Sequence, residues 1–75
     1  MREPALTDVI EDERAYLEEV FALLRLYAEI GINYAVISDH VGLRHALRHA
    51  QAYTEAAWSA LRSLEALCSE DVTHV

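Results

Sequence analysis

Apolar residues recur every three or four positions from Leu6 onward: Leu6, Ile10, Leu17 and Leu24 run as a spine, with Val9, Val20, Phe21, Tyr27 and Ala28 beside them. Such spacing aligns side chains along one side of a 3.6-residue helix, and it predicts helix 1 over about residues 6–30. Both ends are marked. Asp8, Glu11, Asp12 and Glu13 crowd the first turns, where carboxylates complement the positive end of the helix dipole, and Gly31 offers the left-handed residue that commonly ends a helix.

A second pattern, Leu43, Leu47, Ala50, Ala57, Leu61, Leu64 and Cys68 with Tyr53, Thr54 and Trp58 on the same side, predicts helix 2 over about residues 40–69. Arg44, His45, Arg48, His49, Glu55 and Arg62 are expected on the opposite side. Residues 31–39 remain as a connector. Within it, Ile32 to Ile37 carries strand-favouring Tyr, Val and Ile, but a single strand has nothing in this chain to pair with, so the segment reads as a short helical or irregular connector, or as an N-terminal extension of helix 2 capped by Asn33. Ser38 and Asp39 are the other candidate caps, because both side chains accept hydrogen bonds from first-turn amides.

The fold class that follows is all-α, a two-helix antiparallel hairpin with a short connector, forming one helical domain over residues 1–75. Two helices share a single seam. With Tyr16, Leu23 and Ile30 widening it, the helix 1 stripe is broader than that seam requires, and a chain this short buries only about 60% of its unfolded surface. The expected remedy is a homodimer in which two hairpins complete a four-helix bundle.

Charge refines the picture. Residues 1–30 hold eight acids against Arg2, Arg14 and Arg25, whereas residues 31–69 balance at three and three. Helix 1 is therefore the acidic element, with Asp8, Glu11, Asp12, Glu18 and Glu19 expected on its outward surface. A net charge of −7 opposes direct contact with nucleic acid or an anionic membrane, because phosphates are held by Lys and Arg; a basic protein is the partner it favours. No apolar run reaches the roughly 18 residues of a membrane span, and acids stand where a secretory leader has bases, so a cytoplasmic location is expected. The single Cys68 falls on the apolar stripe and reads as a core thiol of a reducing compartment, with an intermolecular disulfide as the alternative.

Some ionisable residues fall where they are costly. Helical geometry puts Glu13 on the stripe between Ile10 and Leu17, Glu65 between Leu61 and Cys68, and His40 on the same line as Glu65. A buried carboxylate must be paired, protonated or within reach of water, so Glu13 is expected near Thr54 or Tyr53, and Glu65 near the start of helix 1. In a two-fold bundle the alternative is a metal cluster built from Glu13, His40, His45 and His49, the last two being four residues apart and able to chelate from one side of a helix. Arg44 and Arg48 flank that pair and oppose a cation, so no metal is favoured. No phosphate-cradling glycine loop is present and no cofactor is expected.

The segment Arg44-His45-Ala46-Leu47-Arg48-His49 resembles the R-x4-H motif of the HEPN nuclease family, including the polar residue after the arginine. The resemblance covers six residues and the amphipathic helix that follows. It implies two motifs meeting across a dimer of helical bundles and metal-independent cleavage of an RNA phosphodiester. Arg44 would then stabilise the phosphorane charge and His49 serve as acid or base, with His45 in the polar position. The acidic balance argues instead for a non-enzymatic interaction protein, an inhibitor or regulator of a nucleic-acid-handling protein that acts through its acidic helix 1. Among the aromatic residues, Tyr27, Tyr53 and Trp58 are expected in the core, and Tyr16 and Tyr34 at stripe margins, where amphipathic rings anchor interfaces.

Overall fold

The computed structural model describes residues 5–73, with side chains described for residues 5–69. This span consists of two helices, α1 (Leu6–Val36) and α2 (His40–Thr73), folded back on each other as an antiparallel hairpin. No strand occurs among the described residues. The all-α hairpin expected from the apolar periodicity is therefore the fold.

The connector is much shorter than expected. α1 does not end at Gly31 but continues through the Ile32 to Val36 segment, which satisfies its backbone groups within the helix because no strand is there to pair with it. Gly31 is an ordinary helical residue; its φ is not positive, and a Cβ built there meets the Ala46 Cβ at 3.8 Å. The turn is made by Ser38, whose φ of 57° lies in the left-handed region. Around it, the Ser38 N–H donates to the Ala35 carbonyl at 3.1 Å and the Asp39 N–H to the Tyr34 carbonyl at 2.9 Å. This paired closure is the Schellman arrangement, and it satisfies carbonyls that the helix end leaves open. Asp39 then caps α2, its Oδ1 accepting from the Gly42 N–H at 2.9 Å while its carbonyl accepts from Leu43 at 3.0 Å.

Spacings of four and three residues alternate along both sides of the seam. On α1 it runs through Glu13, Leu17, Val20, Leu24, Tyr27, Gly31 and Tyr34; on α2, through Gly42, Ala46, His49, Tyr53, Ala56 and Ala60, all of them half-buried or buried. A repeat averaging 3.5 residues keeps two helices in register along their length. The α2 seam is thus made of the small residues Gly42, Ala46, Ala56 and Ala60 with the rings of His49 and Tyr53 at its middle, not of the leucines that dominate its sequence pattern. Small side chains let the backbones approach and leave room for the bulk on α1: Val20 is only 2% exposed, and the Tyr34 ring lies so close over Gly42 that a Cβ there would overlap it.

Little of the chain is enclosed by this packing. Among the described residues, the buried hydrophobic ones are Val20, Ala46 and Ala60, and no large side chain is fully buried. The molecule extends 55 × 24 × 16 Å with a radius of gyration of 17.0 Å, against about 11 Å for a compact domain of the same length. It exposes 6087 Å², about 1,400 Å² more than a compact monomer of 8.5 kDa.

Candidate functional site

The hairpin has two broad faces that differ in character. On the first, Leu17, Phe21 and Leu24 of α1 and Thr54, Ala57, Trp58 and Leu61 of α2 line an almost wholly apolar groove of about 440 Å³. Its polar member is silent, because the Thr54 hydroxyl donates to the Ala50 carbonyl at 2.7 Å. Phe21 is 61% exposed and Trp58 57% exposed. Helical geometry continues the same face toward the turn through Ile32 and Leu47, which are 62% and 68% exposed. These four exposed side chains share one face, while other exposed apolar residues, Tyr16 among them, lie elsewhere on the hairpin.

Trp58 was expected in the core and lies instead on this open face. The reason is the small-residue seam: the leucine stripe of α2, with Leu47 and Trp58, is rotated off the line of contact with α1, and Phe21 on α1 is displaced likewise. The alternation of Gly42, Ala46, Ala56 and Ala60 at seam spacing is the signal that separates the two lines in the sequence.

The opposite face is mixed in character. There Glu13 and Tyr16 border a shallow notch with Ala56, Ser59, Ala60 and Ser63. Glu13 is half-buried, but it does not meet Thr54, which lines the apolar groove on the other side of the seam. Glu65 is exposed. No buried side-chain polar atom lacks a hydrogen-bond partner among the described residues, so neither carboxylate is stranded in the interior. Asp8, Glu11, Asp12, Glu18 and Glu19 are all exposed on α1. Helical geometry turns Asp8, Asp12 and Glu19 away from the seam and the apolar groove, whereas Glu18 lines, with Arg14 and Arg25, a pocket that shares Leu17 and Phe21 with the groove.

The histidines occupy a ring cluster at mid-seam. His49 stacks flat on Tyr27, with centroids 4.7 Å apart and planes 6° from parallel, and His45 meets the edge of His49 at 4.4 Å. Tyr53 completes the group, 5.6 Å from Tyr27. His49 therefore faces α1 and is not on the solvent side with Arg44, as its sequence neighbourhood had implied; seam spacing from Ala46 to Tyr53 carries it inward. Arg44 is exposed and lies about 140° around α2 from His49, so the two motif residues do not converge on one point within a chain. Of the four residues weighed as metal ligands, only His45 and His49 are brought together. Glu13 lies about 21 Å along α1 from the Tyr27 level, and His40 is exposed at the start of α2. Among the described residues, no three His, Cys, Asp or Glu side chains are grouped to hold a metal ion. Cys68 is a free, half-buried thiol.

No helix among the described residues is long and apolar enough to cross a membrane. No protein-family model, curated protein or solved structure matches this chain.

Proposed function

We propose that this chain is a non-enzymatic interaction module that pairs with a second copy through its apolar face and presents the acidic side of α1 to a basic protein. The observation that carries the reading is the division of labour between faces. Phe21, Trp58 and their neighbours require cover, whereas Asp8, Asp12 and Glu19 point away from that cover and Glu11 and Glu18 stay exposed at its rim. Closing two apolar faces together completes a four-helix bundle, supplying the enclosed core that one hairpin lacks. The surplus exposure of each chain supports this, since permanent homodimers bury about 2,000–5,000 Å² in total.

Each bundle then carries two acidic ridges. A ridge of carboxylates fits a groove shaped for phosphates, and the role that follows is inhibition or regulation of a nucleic-acid-handling protein by occupying its basic groove. Complementary charge speeds encounter and selects the partner more than it supplies affinity. Capture from a native lysate tests this step: wild-type protein retains a basic partner, and the variant with Glu11, Asp12, Glu18 and Glu19 changed to Gln or Asn releases it. A partner retained by that variant contradicts the acidic-ridge reading.

A further inference from the structure

We infer that the second copy seats with its two-fold axis parallel to the helices, so that α1 of each protomer lies antiparallel along α2 of its partner. This rests on the self-association proposed above and fixes its geometry. Two symmetric arrangements close the apolar face onto a copy of itself. With the axis parallel to the helices, α1 meets the partner's α2 at the heights the hairpin already sets; with the axis across them, α1 meets α1 and α2 meets α2, each reversed.

Three features select the first. The in-chain register is given by Tyr27 level with His49 and Gly31 level with Ala46. Carried along the open face, it brings Ile32 within a turn of the partner's Leu47, and Phe21 within a turn of the partner's Trp58. Every one of these four exposed side chains is then covered by another. The second feature is at the rim, where the same register sets Arg14 beside the partner's Glu65. In the crossed arrangement α1 meets only α1 and α2 only α2, so Arg14 and the partner's Glu65 lie on different helix pairs and do not meet at any height of the axis. The third is the field of the whole element: residues 1–30 carry a net of −5 while residues 31–69 are balanced. Placing α1 beside α1 would set two helices of like net charge next to each other, whereas α1 beside α2 puts the two acidic helices at diagonal corners of the bundle.

The test is a charge exchange at low ionic strength, read by sedimentation equilibrium with helicity checked by circular dichroism. Arg14→Glu alone and Glu65→Arg alone each weaken dimerisation about tenfold, two symmetric contacts being lost at once, and the double exchange restores it. Both positions are exposed, so neither change threatens the fold. A second measurement is independent of affinity. In a Cys68→Ser background, chains with Arg14→Cys mixed with chains with Glu65→Cys become linked to one another on mild oxidation, and neither becomes linked to itself. Dimerisation indifferent to both single exchanges, or linkage within the Arg14→Cys chains alone, overturns this arrangement while leaving self-association intact. Wild-type protein that sediments as a single chain overturns both.

Discussion

Gly31 and Gly42 look alike in the sequence but differ in what surrounds them. At Gly31 a methyl group meets only the Ala46 Cβ at ordinary contact distance, and the backbone is helical, so Gly31→Ala should raise stability by about 1 kcal/mol through helix propensity. At Gly42 the same methyl overlaps the Tyr34 ring, and Gly42→Ala should lower stability by about 1–3 kcal/mol as the ring is forced out of place. Thermal melts of the two variants, moving in opposite directions, check this pair. A similar contrast holds at the turn. Ser38 occupies the left-handed region without being glycine, so Ser38→Gly should stabilise by about 1 kcal/mol, and Asp39→Ala should destabilise by about the same amount by leaving the Gly42 amide uncapped. Denaturant midpoints of these two variants, again of opposite sign, decide whether the chain reverses at Ser38 or elsewhere. His49 is a packing residue in this account. Replacing it with Phe, which keeps a flat ring against Tyr27, should leave the fold intact, whereas His49→Ala should cost about 1–2 kcal/mol from the lost stack and its burial.

At the scale of the elements, the periodicity of apolar residues was enough to place both helices and the start of α2. The end of α1 was not legible. Gly31 and the β-branched run after it are local signals for a break, and tertiary context overrode them, because Tyr34 has a place to pack over Gly42 only if the helix continues. The line of contact on α2 was misread for a related reason. Large apolar residues draw attention in a sequence, yet the hairpin packs on Gly42, Ala46, Ala56 and Ala60 and leaves Leu47 and Trp58 outside. The acidic side of α1 was legible from charge alone, since surface carboxylates on a helix need no partner to fix where they point. Its predicted behaviour belongs to the element as a whole: capture of a basic partner should weaken steeply with added salt, reflecting several screened charges, and no single one of Glu11, Asp12, Glu18 and Glu19 should account for it. Binding that is unchanged across a wide range of ionic strength contradicts that prediction.

For the whole molecule, the central claim is that one hairpin is half of a structure. Among the described residues the buried hydrophobic ones are one valine and two alanines, a small core, and the apolar face carrying Phe21 and Trp58 is where the proposed second copy would seat. Sedimentation equilibrium tests it most directly. The account predicts that wild-type protein at micromolar concentration sediments at twice the 8.5 kDa chain mass, and that the variant Phe21→Glu with Trp58→Glu sediments at one chain mass. As Trp58 is the only tryptophan, its emission reports the same event and should shift to longer wavelength as the wild-type protein is diluted below its dissociation constant. Wild-type protein found at a single chain mass, or a doubly substituted variant that remains paired, would contradict the claim.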